Sequence, residues 1–253
     1  MIITWRGTGM FVVKKRTVVI VATLLVTAIT FIACFGALYS GGAVGSGVGN
    51  GDIRIVLDAG HGGKDGGVSG ISSGIKESTL NLDVVKRIER HLVASGFSVT
   101  LTRSSDAGLY GVATSNLKKR DMLKRKEIIT EAKPTLVVSV HMNAYTLSSR
   151  CGAQVFYKAG SEEGKLLASL VQKSFNSMEK KTRECNALSG DYYILNCSEY
   201  PSIIAECGFL SNPEEEKLLL TEEYREDLAY AIFKGIINYL TETTGAFWTE
   251  GVI

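Results

Sequence analysis

The stretch Ile55–Gly63, IVLDAGHGG, decides how this chain folds. Apolar and β-branched residues run up to Asp58 without polar alternation, and glycines then surround a single histidine. A run of this kind reads as a strand buried on both faces, and the glycines supply a sharp turn. Strands covered on both faces belong to sheets flanked by helices, where ligands gather beyond the carboxyl ends of the strands. His61 therefore stands at a place where sites form, in a chain with only three histidines. Its role there is a rigid turn, a phosphate cradle shared with the glycines, or a metal ligand.

The pattern downstream alternates. Ile53–Asp58, Phe97–Thr102, Thr135–Val140 and Ala153–Tyr157 read as strands, and DYYIL (Asp191–Leu195) and SIIAE (Ser202–Glu206) as shorter ones. Thr79–Ser95 reads as a helix, with Leu82, Val85, Ile88 and Leu92 on one face and Gly96 as its stop. Leu117–Ala132, Glu162–Met178, Pro213–Leu219 and Glu222–Leu240 complete the helices. Alternating strands and helices predict one α/β domain, residues 53–240, around a mostly parallel or mixed sheet. Chemistry is expected at Asp58–His61, after Val140, and near Ala205–Glu206, the strand ends. Residues 241–253 read as a loosely ordered tail.

Before the domain lies Val18–Leu38, VVIVATLLVTAITFIACFGAL, which carries no charge. About twenty apolar residues cross a bilayer core, and a signal-peptide h-region runs only to about 7–15. The stretch is expected to be an uncleaved anchor, with a cleaved signal as the second option and a lipoprotein signal at Cys34 as the third. Arg6, Lys14, Lys15 and Arg16 precede it, and no basic residue follows until Arg54. This bias places residues 1–17 in the cytoplasm and everything after Leu38 outside. Residues 39–52, rich in glycine, read as a flexible linker. A net charge of +2 gives no reason to expect a nucleic-acid partner. Of the five cysteines, none is in CxxC spacing, so a thiolate zinc site is not expected. Most read as small core residues.

Two of the three histidines, His61 and His141, fall at strand ends, and neutral imidazole is the commonest metal ligand. His91, inside a helix, reads as a solvated surface residue. A catalytic zinc takes three protein ligands and leaves one position open. Glu77 opens the first helix after a glycine- and serine-rich loop. It is either the third ligand or an acid favoured by the helix dipole. Glu206 ends an apolar strand, where burial of a carboxylate is costly without a partner or a role. It is either a general base or an edge-strand residue facing water. Asn143, just past His141, contacts substrate or shapes its turn. The phosphate reading of the glycines finds no support, since neither GxGxxG nor GxxxxGK[ST] occurs.

The segments IVLDAGHGGKDGG, KESTLNLDVVKRI, LTR, LVVSVHMNA and AECGFLSNPEEEKLL, in this order, resemble the zinc-dependent N-acetylmuramoyl-L-alanine amidases over about residues 53–240. Within them, the chain is similar to the membrane-anchored, germination-specific branch of spore-forming bacteria. The resemblance implies a six-stranded sheet flanked by helices, with zinc (Zn2+) bound by His61, Glu77 and His141 and with Glu206 catalytic. It implies hydrolysis of the amide between N-acetylmuramic acid and L-alanine in peptidoglycan, as a step toward muramic δ-lactam in spore cortex that a separate deacetylase completes. An activating partner protein is compatible with this reading. One departure concerns the helix before the third strand, where relatives carry an asparagine and this chain has Thr130.

Two other enzyme readings compete. An iron oxygenase with two histidines and one carboxylate shares the ligand types, but that triad sits on an all-β barrel. A zinc carboxypeptidase places its first histidine and glutamate a few residues apart, whereas His61 and Glu77 lie in different elements. A catalytically inactive wall-binding or regulatory module is the reading from another class.

Overall fold

The computed structural model describes residues 53–245, and the sequence-based expectations for the anchor, the linker and the end of the tail lie outside the described residues. Six strands form one mixed sheet in the order β2-β1-β3-β6-β4-β5. In chain order these are β1 (Arg54–Ala59), α1 (Glu77–Ala94), β2 (Ser98–Leu101), α2 (Leu117–Ala132), β3 (Leu136–Asn143), β4 (Gln154–Tyr157), α3 (Glu162–Asn176), β5 (Leu188–Ser189), α4 (Tyr193–Asn196), β6 (Ser202–Phe209), α5 (Pro213–Leu219) and α6 (Glu222–Thr244). Strand β1 is parallel to both β2 and β3, β3 is parallel to β6, and β4 runs antiparallel to β6.

Strand periodicity sorts the side chains. Ile55, Leu57 and Ala59 of β1 pack with Val138, Val140, Ile203 and Ala205 into a large core under α1, α3 and α6. The intervening residues, Val56, Val137 and Ile204, face the other way and meet Ile129 of α2 and Ile194 and Leu195 of α4 in a smaller cluster. Because successive side chains alternate faces, Asp58, Ser139, His141 and Glu206 continue the rows of Val56, Val137 and Ile204. They all point to the α2/α4 face at the carboxyl end of the sheet. The chain leaves β1 for β2 on one side and returns to β3 on the other, so this end is the topological switch point, where a crevice opens.

Three expectations are corrected. DYYIL is no strand: Tyr193–Asn196 form one helical turn, with the Tyr192 ring set edge-on against Phe156 at 5.4 Å. The strand there is Leu188–Ser189, pairing with β4, too short for a sequence pattern to reveal. Strand β3 does not stop at Val140 but carries His141 within it and ends at Asn143. Helix α6 continues past Leu240 to Thr244. Among the described residues no helix is long and apolar enough to cross a membrane. The four described cysteines are free thiols, Cys197 and Cys207 buried and Cys151 and Cys185 partly exposed.

Candidate metal centre

The sheet's end brings the sequence-predicted residues together. His61, Glu77 and His141 each offer a ligand atom, all within 4.8 Å of one another. Glu77 Oε1 is the shared point: His141 Nδ1 lies 2.8 Å and His61 Nε2 3.2 Å from it. Asn81 Nδ2 donates to the same oxygen at 3.2 Å and the Met142 N–H at 3.3 Å, while the Val68 N–H donates to Oε2 at 2.9 Å. The two imidazole rings stand edge to face with centroids 5.0 Å apart. Glu77 is the first residue of α1, is only 2% exposed, and turns its carboxylate into this cluster.

Glycines make this convergence possible. A Cβ on Gly60 would sit 2.2 Å from the His141 ring. At Gly67, where φ is +68°, it would sit 2.3 Å from Glu77 Oε2 and 2.8 Å from His61. His61 itself has φ 60°, an uncommon left-handed conformation for a side-chain-bearing residue.

A buried polar frame fixes the strand end that carries His61. Asp58 accepts from Thr102 Oγ1 at 2.6 Å and Ser139 Oγ at 2.5 Å and pairs with Arg125. Arg125 also donates to the Ala59 carbonyl at 2.7 Å and the His61 carbonyl at 2.6 Å, and its Nε meets Asp121 at 2.7 Å. Arg103 reaches the carbonyls of Ala59, Gly60 and Ser78 at 2.8–2.9 Å. Sequence reading gave no role to Arg103, Arg125 or Asn81. The signal was Asp58, an acid inside an apolar strand, which has to find a cation. Thr130 is exposed and bonds only back to Lys126 of its own helix at 2.8 Å, away from the site.

Charge follows burial and neighbours. Burial opposes ionisation of Glu77, but the two histidines outweigh it and hold its carboxyl well below the usual range. Burial also opposes charge on His61, yet Glu77 and Asp65 raise it to about 9. Glu206 behaves differently. Burial, reinforced by Glu77 and countered by the histidines, pushes it up to about 7. Its register partner on β3 is His141, and on β4 Gln154, so it lies on an interior strand and not an edge. Its Oε2 is buried with no hydrogen-bond partner. Asn143 turns its Oδ1 onto the Ala144 N–H at 2.8 Å and also lines the cavity, so it serves the turn and faces the site. That cavity, about 460 Å³, is bounded by the cluster and Glu206 on one side and by Tyr110, Tyr192 and Tyr193 on another.

Two imidazoles and a carboxylate fit a divalent metal. Zinc bonds of about 2.0–2.2 Å to such donors leave tetrahedral edges of about 3.3 Å, near the 2.8 and 3.2 Å separations here. All three residues line the cavity, so a metal held by them would be accessible from it, as a catalytic site requires. His91 contributes nothing to it. Contrary to the surface expectation, its side chain is 11% exposed, pairs with Glu226 at 2.7 Å, stacks on Phe233 and meets Tyr230 edge-on.

Known proteins share this arrangement of fold and sequence. The germination-specific N-acetylmuramoyl-L-alanine amidase of Bacillus subtilis (strain 168) is 35% identical over 192 residues, covering 74% of this chain and 80% of its own. The CwlD amidase of Clostridioides difficile, solved in complex with the GerS lipoprotein, superposes with a TM-score of 0.72 at 36% identity, over 75% of this chain and 99% of the other. The catalytic domain of CwlV, an N-acetylmuramoyl-L-alanine amidase from Bacillus (Paenibacillus) polymyxa var. colistinus, gives a TM-score of 0.66 at 30% identity, over 74% and 98%. With the family model for N-acetylmuramoyl-L-alanine amidase matching residues 55–238, the chain belongs to the N-acetylmuramoyl-L-alanine amidase family.

Proposed function

We propose that this amidase is a zinc enzyme in which His61, Glu77 and His141 hold the metal and Glu206 moves the protons. The observation that carries the reading is the pairing of two kinds of carboxylate in one cavity. Glu77 is bonded on every side and fixed in charge by two imidazoles, whereas Glu206 Oε2 is buried and unbonded. Zinc in such a site supplies an acidified water, with pKa near about 7, and polarises a carbonyl. Glu206, whose burial favours the protonated form, is suited to hold a proton and return it, as a general base of this kind requires. It takes the proton of the attacking water and delivers it to the nitrogen of L-alanine as the amide to the muramoyl lactyl group breaks. Asn143, held by its own turn, presents its amide N–H groups to the substrate. Asn81, Arg103 and Arg125 keep the ligand-bearing backbone in place.

The similarity to a germination-specific amidase supports spore-cortex peptidoglycan as the substrate, with the N-acetylmuramic acid residue left without its peptide in the glycan strand passing to a deacetylase on the way to δ-lactam. The solved complex of a relative with a lipoprotein supports a partner protein of that class. The uncharged Val18–Leu38 segment supports anchoring in the membrane, with the domain that follows outside the cytoplasm. The test is direct: the full chain, loaded with zinc or with iron, is incubated with cortex and with vegetative peptidoglycan. Release of peptides with a free L-alanine amine by the zinc form, faster from cortex, is the expected result. Activity with iron alone, or binding with no release, would overturn the assignment.

A further inference from the structure

We propose that Glu216 is a positioning residue for Glu77, clamping the loop that leads into α1. The inference rests on the reading of Glu77 as a metal ligand. Three consecutive glutamates, Glu214–Glu216, open α5 and suggest a solvated helix start. The structure differs: Glu215 and Glu216 are each 1% exposed. Among the described residues neither pairs with a lysine or arginine, so each depends on other donors.

For Glu216 those donors come from one place. The Ser72 N–H donates to its two oxygens at 2.9 and 3.1 Å, and Ser73 donates to Oε1 through its N–H at 2.8 Å and its hydroxyl at 2.7 Å. The loop is shaped around this carboxylate. Gly70 lies so close that a Cβ there would be 2.3 Å from Oε1. The Gly70 N–H meets the Ile75 carbonyl at 2.8 Å, and the Ile71 N–H meets the Leu210 carbonyl at 3.2 Å.

The loop in turn does what a capping side chain does elsewhere. Lys76, the N-cap of α1, makes no side-chain capping bond. The first helical N–H groups are met by loop carbonyls instead: Glu77 N–H by Val68 at 2.9 Å and Ser78 N–H by Gly66 at 3.1 Å. Ser69 and Lys76 pair as an isolated antiparallel bridge, and the Val68 N–H returns a bond to the Glu77 carboxylate. Glu216 thus closes a small hairpin whose open end is the ligand. Residues that orient a ligand contribute about 10–100-fold in metal affinity. Ser72 and Ser73 are exposed, so without Glu216 their N–H groups turn to water and the loop loosens while the core stays intact.

Glu215 is the internal control. It is equally buried and adjacent, but it holds the N–H groups of Gly152 and Phe209 and the hydroxyl of Thr182, none of them in the loop. The experiment measures zinc affinity of the full chain by chelator competition, with thermal melting and amide exchange at Ser72 and Ser73. Glu216→Ala is expected to weaken zinc by about 10–100-fold and speed that exchange. Glu216→Gln, whose amide oxygen still accepts from Ser73, should lie in between. Glu215→Gln is expected to lower the melting point and leave zinc affinity unchanged. Unchanged zinc affinity in both Glu216 variants overturns the proposal, as does an equal loss in the Glu215 variant. A wild-type chain that binds no zinc fails the metal reading itself and removes the proposal with it.

Discussion

Two regions of the molecule concentrate charge around histidine, and they partner their carboxylates in different ways. Across α1 and α6, Glu226 meets Arg87 at 2.7 Å, Arg90 at 3.1 Å and His91 at 2.7 Å, and Asp83 meets Arg87 at 2.9 Å and Arg225 at 2.5 Å. Both of these acids have an arginine. At the carboxyl ends of β1, β3 and β6 the cations are spent on the frame: Arg125 on Asp58 and Asp121, and Arg103 on backbone carbonyls. Glu77 is left to two imidazoles, and one oxygen of Glu206 to nothing. What separates a site from a salt-bridge patch is therefore how a carboxylate is partnered, not how many charges surround it.

The sharpest way to break this comparison is to remove a ligand. His61→Ala, Glu77→Ala or His141→Ala should each abolish bound zinc and turnover together, read by metal analysis and peptide release. A variant that retains both would falsify the ligand assignment. Next, Glu206→Gln should keep its zinc and lose about 10²–10⁴-fold in kcat, the range for a general acid–base residue. Equal losses of metal and activity would instead make Glu206 part of the cage. Third, Arg125→Ala, which leaves Asp58 buried without its cation, should cost about 3–5 kcal/mol in denaturant unfolding.

The pH dependence follows from the same frame. Burial opposes charge on Asp58, but Arg125, Ser139 and Thr102 outweigh it and hold its carboxyl below the ordinary value of 3.8. A depressed folded value contributes stability that is present above that ordinary value and lost as pH falls through the folded one. Acid unfolding should therefore be less steep in Asp58→Asn, and an unaltered acid limb would show that Asp58 contributes no such linkage. The smallest effect is expected in the other region. Glu226→Gln, at a site 37% exposed, should cost less than about 1 kcal/mol and leave kcat unchanged. A large loss of activity there would erase the distinction between the two regions.

Much of this was legible in the sequence because strand ends and apolar runs are local signals. IVLDAGHGG placed His61, LVVSVHMNA placed His141, and the acid after Ile203-Ile204-Ala205 placed Glu206. Their convergence needed no more than a parallel sheet with its switch point at β1 and β3. What stayed hidden depends on partners distant in sequence. His91 looks solvated in RIERHL because nothing nearby announces Glu226 and Phe233. PEEEKLL reads as a helix but does not show that Glu216 is buried, because its donors, Ser72 and Ser73, lie more than a hundred residues earlier. DYYIL has strand composition, but Tyr192 packs on Phe156 and the chain turns at the cavity wall instead of pairing.

The left-handed backbone at His61 has a consequence for how such an enzyme changes over time. Of the residues Gly60–Gly63 it is the one with a side chain, and it sits at φ 60°, where an L-residue is disfavoured by roughly 1–2 kcal/mol. Glycine would relax that conformation. Against that relief stands the buried Glu77 carboxylate, which would lose one of its two imidazole partners. The bend and the acid are therefore tied: a homologue that carries a fourth glycine at this position should also have replaced the glutamate that opens α1.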